Sequence, residues 1–415
     1  IKYIKNMIQL LNIRVTTVLF LGFSSGLPLA LSGGTLQAWL TVEDVDIKTI
    51  GLFSLVGLPY TLKFLWSPLM DRFVVPIFGR RRGWIALSQL TLIGLILGMS
   101  VTSPQNGLWF LALLAFCLTF VSASQDVAID AYRTEVLRER ERGIGAAVSV
   151  TGYRVAMLVS GALALILSEY LGWRVTYMLM ALIMSIGVVS VWLGPEPEDP
   201  GTPPTSMKDA VEGPFREFFS RPGVWSLLAL IVLYKLGDAF AGSLTTTFLI
   251  RGVNFSVGEV GAINKGMGLA STIIGALFGG VLMARLRLFR SLLIFGILQA
   301  VSNLSFMVLA LVGKSYPLMI FTIAFENLAG GMGTAAFVAF LMVLCNHNYT
   351  ATQFALLSAL ASLGRVFVGP LSGVLVDGMG WTVFFFSTFL FALPGLALLW
   401  VMREMVRKTE TAKES

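Results

Sequence analysis

Charge is the first thing this sequence has little of. Only 13% of its 415 residues are Asp, Glu, Lys or Arg, against about 25% in an ordinary soluble domain. A water-soluble protein of this size could not cover its surface with so few, and the 56% hydrophobic content excludes that class. Cysteine is nearly absent. Cys117 and Cys345 lie far apart inside apolar runs, where they read as small core hydrophobes, and a disulfide scaffold is excluded. Histidine occurs once, as His347 in the polar stretch Asn346–Thr350. No His/Cys/carboxylate cluster has metal spacing, no glycine loop follows a strand, and no Ser stands beside a His. The sequence therefore does not read as an enzyme. Its 42 Gly and 15 Pro follow no fixed period, which excludes a collagen-like chain.

What the sequence does have is long apolar runs without alternation. In lipid every backbone polar group needs an internal partner, so a chain crosses as helices or as a closed barrel; unalternating runs of about 20 residues select helices. Twelve such cores are expected at 14–38, 48–69, 84–102, 107–131, 143–167, 174–194, 225–250, 257–283, 291–312, 317–344, 351–375 and 379–402. No cleavable leader is evident before the first. Twenty-one Lys and Arg fall in loops on one side and four, Lys48, Arg174, Arg251 and Lys314, on the other. That asymmetry puts both termini in the cytoplasm, and it accounts for the formal charge of +7 without nucleic acid.

The middle of the chain is a linker. Gly194–Pro204 carries five of the fifteen prolines, so no helix runs through it. Beyond it Val211, Phe215, Phe218 and Phe219 recur at helical spacing opposite Lys208 and Glu212, the pattern of a short helix lying in the cytoplasmic interface. The expected layout is a six-helix half over 1–194, a cytoplasmic linker over 195–224, a second six-helix half over 225–405 and a tail over 406–415. A weak repeat agrees: Asp46–Gly51 opens the second span, and Ser256–Gly261 opens the eighth 210 residues later, with Ser256 and Glu259 at capping-box spacing. Two six-helix halves of like orientation form an all-α, twelve-transmembrane-helix major facilitator fold.

The loop after the second span, Ser67–Arg72 followed by Gly79–Arg82, resembles the facilitator signature G-x-x-x-D-R…G-R-R-x, which that family uses as a cytoplasmic gate. Ser67 replaces its Gly, and Phe73–Phe78 is inserted. The resemblance assigns gating to Asp71, Arg72, Arg80 and Arg81. In the second half Ala284 replaces the acid, so Asp71 is the one acidic latch of this type. Longer stretches are similar to one family, the AmpG permeases: Gly22–Gly57, Phe64–Arg72, Phe78–Trp84, Ser122–Leu137, Leu233–Gly252, Glu326–Asn346 and Thr352–Leu360. The resemblance implies proton-dependent uptake of N-acetylglucosaminyl-anhydro-N-acetylmuramyl peptides across a bacterial inner membrane for cell-wall recycling, with a role in β-lactamase induction. Enterobacterial members continue for two further spans, whereas this chain stops after its twelfth. No cofactor is implied beyond the proton gradient, and the carrier is expected to act as a monomer.

An ionisable group inside a span costs about 2.5–3.5 kcal/mol on insertion scales, so each one needs a reason. Lys265 lies nine residues into span eight, about 14 Å from its outer end, too deep to reach either interface comfortably. It is expected to line a central cavity or to form a structural ion pair. Lys235 and Asp238 share a helix face at i, i+3. Either they neutralise each other and hold helices together, or Lys235 meets a substrate carboxylate while Asp238 exchanges a proton. Asp126 and Glu326 are the leading proton carriers. Asp130, at i+4 from Asp126, shares its face, where paired carboxylates would suit proton handling and make Asp130 a further proton-coupling candidate, although Arg133 beside it makes a gate or structural pair the better reading. Arg154 and Arg365 cannot shed their protons, so each pairs with an acid or holds an anion. Lys63 is close enough to the interface to snorkel. For sugars and amides the candidates are Gln37, Trp39, Tyr60, Asn264, Asn327 and Gln353, each of which could equally serve packing or an interface belt. The glycines over Gly22–Gly34 and Gly330–Gly333 are read as permitting close helix packing. The expected function is muropeptide import by alternating access. A facilitator for another solute, such as acetyl-coenzyme A or a drug, and a muropeptide sensor that moves nothing are the alternatives.

Overall fold

In a computed structural model, residues 12–66, 70, 75, 79–138, 142–196, 219–220, 223–344 and 350–407 are described. The interfacial helix expected after the linker falls outside them, as do Asp71, Arg72, Cys345 and His347. Every regular element among the described residues is helical. In chain order these are α1 (Ile13–Ser32), α2 (Gly34–Val42), α3 (Ile47–Leu52), α4 (Leu58–Leu62), α5 (Arg80–Ser100), α6 (Pro104–Val136), α7 (Arg142–Met157) and α8 (Ala164–Leu193). There follow α9 (Val224–Tyr234), α10 (Leu236–Ser243), α11 (Val257–Val260), α12 (Gly268–Leu286), α13 (Leu288–Val312), α14 (Tyr316–Leu344) and α15 (Thr350–Val401).

Nine described stretches are long and apolar enough to cross a membrane. Two of them, Val148–Leu193 and Leu356–Val401, run 46 residues. At 1.5 Å per residue each would reach about 70 Å, twice the hydrocarbon thickness. Each is broken by one glycine with positive φ, Gly172 at 76° and Gly380 at 75°, a conformation that costs glycine little and other residues much. The polar starts behave as their chemistry requires. Asn12 Oδ1 accepts from the Arg14 and Val15 amides at 3.0 and 3.2 Å. Asp46 caps α3, and Ser256 with Glu259 forms a complete capping box on α11.

The chain divides into two compact units. The first comprises Ile1–Glu43 and Val56–Thr205; its core includes Val15, Val18, Leu21, Ile85, Ile129, Tyr132 and Val191. On α1, Gly22 and Gly26 lie directly against the backbone carbonyls of Ser149 and Tyr153 on α7, and Gly152 lies against that of Leu19. The second unit comprises Asp44–Leu55 and Ser206–Ser415, with a core around Ile231, Phe295, Ala336 and Phe340. There Gly275 meets the Leu328 carbonyl and Gly331 the Thr272 carbonyl, drawing α12 and α14 together. The close packing expected of both glycine-rich stretches is therefore present.

Asp44–Leu55 joins the second unit although the sequence reading places it in the first half. The physical reason is local. Gly51 packs against the Gly369 carbonyl, Ser54 Oγ donates to Val366 O at 2.8 Å, and Lys48 pairs with Asp377 at 2.8 Å. An added side chain at Gly152 has backbone on its path, which cannot swing aside. Gly152→Val is expected to destabilise the protein by about 1–3 kcal/mol, read as a fall in the melting temperature of the purified carrier. Gly94→Ala, with nothing within 4 Å of the new methyl, should leave it unchanged. Equal melting temperatures for both variants would mean that the α1–α7 approach does not need its glycines.

Candidate functional site

Three lysines and one arginine of the apolar spans stand at or beside irregular helix, whereas Asp126, Glu326 and Arg365 lie on regular stretches. Lys63 opens a 3₁₀ turn, Lys63–Leu65. Lys235 is the joint between α9 and α10, and Lys265 lies within a π-helical stretch, Gly261–Met267. Arg154 stands one turn before another π stretch, Leu158–Leu163. Discontinuous helices expose backbone groups and helix ends that a straight helix keeps closed, and π-bulges mark functional positions in many proteins.

In the first unit Asp126 is the centre. Its Oδ1 accepts from Ser25 Oγ on α1 at 2.5 Å, while Lys63 Nζ stands 4.0 Å from Oδ2. The neighbouring Gln125 donates to Ser24 O at 3.2 Å. Asp130 turns out to a 3.0 Å ion pair with Arg133. Tyr60 has a buried hydroxyl without a hydrogen-bond partner among the described atoms. Trp39 is 4% exposed, stacked on Trp173 at 5.7 Å and against Tyr177 at 5.1 Å, so its ring is spent on packing within this unit.

The second unit holds two clusters. In one, Lys235 Nζ lies 3.5 Å from Asp238 Oδ2 and 3.3 Å from Thr334 Oγ1, with the Phe337 ring 5.7 Å away. Gln299, from α13, donates its amide to the same Asp238 oxygen. The break at Lys235 suits both charges: Lys235 caps the C-terminal end of α9 and Asp238 lies in the first turn of α10. Each meets the helix end of opposite partial charge, worth about 0.3–1 kcal/mol apiece. In the other cluster Lys265 donates to Thr246 Oγ1 at 3.0 Å. Glu326 accepts from Asn327 Nδ2 at 2.6 Å, and Thr272 Oγ1 donates to Asn327 Oδ1 at 3.0 Å. Asn264, beside Lys265, keeps a buried Nδ2 without a partner among the described atoms. Arg365 is exposed, and the side chain of Gln353 lies outside the described residues.

At the cytoplasmic end suggested by the loop charges, Arg81 holds Glu135 at 2.8 Å. Arg82 bonds the last carbonyls of α8, at Val191 and Trp192, and pairs with Glu196 at 2.8 Å. The side chain of Arg80 lies outside the described residues. Sequence reasoning missed Ser25, Thr246, Glu135 and Gln299. For Gln299 there was a signal, an amide in the middle of an otherwise apolar span. For the hydroxyls there was none, because Ser and Thr are common in helices of this kind.

Among the described residues, nine helices long and apolar enough to cross a membrane, with charged side chains held inside them, mark a polytopic membrane protein with a polar interior. The sequence profile of the Major Facilitator Superfamily matches residues 18–356. The anhydromuropeptide permease of Escherichia coli K12 is 55% identical over 397 residues, covering 95% of this chain and 81% of that protein. Among solved structures, a bacterial homologue of the human lysosomal transporter Spinster superposes with a TM-score of 0.72 at 14% identity, covering 96% and 97% of the two chains. A D-xylose–proton symporter gives 0.70 at 11%, covering 94% and 96%. The chain belongs to the Major Facilitator Superfamily, and within it to the anhydromuropeptide permease family. It is a multi-pass bacterial inner-membrane transporter and not an enzyme.

Breaking a partly buried ion pair from one side leaves the other charge uncompensated, at a cost of about 3–5 kcal/mol for fully buried pairs. Lys235→Met alone is expected to lower thermal stability clearly, and the double variant Lys235→Met with Asp238→Asn to recover part of the loss. A double variant that melts no higher than the single one would mean that the two charges do not depend on each other.

Proposed function

We propose that this protein imports anhydro-muropeptides, N-acetylglucosaminyl-anhydro-N-acetylmuramyl peptides, together with protons by alternating access, supplying peptidoglycan recycling and the signal for β-lactamase induction. The substrate rests on the 55% identity to the Escherichia coli anhydromuropeptide permease, sustained over 95% of this chain. Twelve crossings with both termini cytoplasmic fit the nine apolar stretches once each broken 46-residue stretch is counted twice and the short Ile47–Leu62 segment is added. The acting unit is a single chain.

Proton coupling rests on one contact, Ser25 to Asp126. A coupling carboxyl must be satisfied both with and without its proton. A serine hydroxyl can rotate to donate to the carboxylate or to accept from the carboxylic acid, whereas an amide N–H or an ammonium can only donate. Among the three deep acids, Asp126 is the one whose closest hydrogen-bond partner serves both states; Glu326 and Asp238 face amide donors. Lys63, at 4.0 Å, can pair with the ionised form and withdraw when Asp126 is protonated. Lys235 and Lys265 are the cations for the peptide carboxylates. Arg154, Arg365, Gln37, Tyr60, Asn264, Asn327 and Gln353 are assigned to the remaining substrate groups, and Asp71, Arg72, Arg80 and Arg81 to the cytoplasmic gate.

The deciding measurement is uptake of radiolabelled disaccharide-anhydro-muropeptide into proteoliposomes, with and without an inward proton gradient. Accumulation above the outside concentration is expected only with the gradient. Asp126→Asn should cut that accumulation about tenfold or more, in the range expected for loss of a positioned proton-transfer group, while exchange of labelled for unlabelled substrate continues. Equilibration indifferent to the gradient would remove protons from the mechanism, and absence of both uptake and exchange in folded protein would remove the substrate.

A further inference from the structure

Asp238 is satisfied in a different way from the other acids. Its neighbours come from four elements: Lys235 at the α9–α10 joint, Gln299 on α13, Thr334 on α14 through Lys235, and the charges of Glu326 on α14 and Arg365 on α15, with the Tyr234 phenol beside it. Gln299 is 4% exposed, sits in the middle of an uninterrupted apolar helix and sends its Nε2 to the carboxylate. Space for that amide is provided by Gly333 on α14. Any side chain there would overlap Gln299 Oε1. The sequence position 210 residues earlier is also a Gln. Gln89 is fully buried against Gly187, and neither its Oε1 nor its Nε2 has a partner among the described atoms. Among the described residues, then, Gln299 bonds a carboxylate and its counterpart Gln89 does not.

We infer that Gln299, seated by Gly333, is a positioning residue that keeps the Asp238 carboxylate ionised and aimed at Lys235, making this pair a receptor for a carboxylate group on the transported ligand. The physical logic is partner exchange. When a ligand carboxylate draws the Lys235 ammonium away, Asp238 would be left as a buried anion with no donor, and it would take up a proton. The amide prevents this, because a hydrogen bond donated to the charged form favours that form and Gln cannot accept the acid's proton through Nε2. Lys235 can then change partners without a proton moving, which leaves the proton traffic to Asp126. The ligand half of this inference rests on the muropeptide reading. The role of Gln299 toward Asp238 does not, and it can be tested without substrate.

The test is an infrared pH titration of the whole carrier in proteoliposomes, following the C=O stretch of protonated carboxyl groups. Subtracting Asp238→Asn identifies the band of Asp238. In Gln299→Met, which keeps length and removes the donor, that band is expected to appear at a proton concentration about tenfold lower or less, as befits loss of a hydrogen bond to a charged group. Gly333→Ala, which keeps the amide and displaces it, should move the band the same way, and it supplies the answer if the Met variant does not fold. Gln89→Met should leave it in place. A band that titrates identically in wild type and in the folded Gln299 and Gly333 variants would overturn the inference. In the same vesicles Gln299→Met is expected to shift the pH profile of muropeptide uptake toward alkaline values and to raise KM for muropeptide several-fold, with little change for the same muropeptide amidated at its peptide carboxylates. A moved band with no muropeptide transport in wild type would uphold the positioning role and sink the substrate reading instead.

Discussion

A charge inside an apolar helix has to be answered by another group, and the architecture of both units follows from that demand. Hydrocarbon does not solvate a stray ammonium or carboxylate, so each carries a cost of a few kcal/mol unless a partner reaches it. The observed answers are specific: Ser25 for Asp126, Thr246 for Lys265, Asn327 for Glu326, and Lys235 with Gln299 for Asp238. Four of these five partners are neutral. A neutral hydrogen-bond partner, donor to a carboxylate or acceptor from an ammonium, stabilises an ion by orientation and leaves its net charge available to a ligand, which a full ion pair would cancel. That is a reason for a transporter to hold its deep charges with hydroxyls and amides.

The glycine contacts belong to the same argument. In water, burying apolar surface would hold two helices together, but lipid is as apolar as leucine, so association relies on close packing and on interhelical hydrogen bonds. Removing side chains at Gly22, Gly26 and Gly152 lets α1 and α7 meet backbone to backbone, and Gly275 with Gly331 does so for α12 and α14. The first approach brings Ser25 to a fixed height beside α6 and hence to Asp126. The second sets the α14 face from which Thr334, Asn327 and Glu326 project. Packing precision and charge satisfaction are therefore one requirement met twice.

What could be read from the sequence divides along the same physical lines. The long apolar stretches, the capping box at Ser256 and the close-packing glycines are properties of residue type and local spacing, and they could be read directly, whereas the expected second span is a run of short helical pieces over Ile47–Leu62. The helix break at Gly172 falls in the expected gap between spans for the same reason, while that at Gly380 lies one residue inside the expected start of the last span. Partners were not readable. Ser25 and Asp126 are 101 residues apart, Asp238 and Gln299 are 61 apart, and Lys265 and Thr246 are 19 apart on different elements. Nothing in a Ser or Thr inside a span distinguishes one that bonds back to its own helix from one that reaches across. Trp39 shows the converse limit. Its type and place left sugar binding, packing and an interface belt open, and the packing partner, Trp173, lies on a helix more than a hundred residues away. The attachment of Asp44–Leu55 to the second unit likewise depends on Gly51, Ser54 and Lys48 finding Gly369, Val366 and Asp377.

The division of labour between helices carries the argument one step further. The uninterrupted helices α5 and α13 contribute no charge to these clusters; α13 lends an amide and α5 keeps Gln89 buried. The interrupted spans carry the cations, Lys63, Lys235 and Lys265. A break supplies what a cation or carboxylate inside lipid needs most, an uncancelled helix end, and the Lys235 joint places a cation at one such end and an anion at the next. The cations and the helix irregularities therefore fall on the same residues, while Asp126 and Glu326 project from regular helix. A lysine at a break can change its charge partner against a helix end that stays where it is, whereas a cation in the middle of α13 would have no helix end beside it. That is a physical reason for this sequence to put its deep lysines at irregular turns and its deep amide, Gln299, on an unbroken helix.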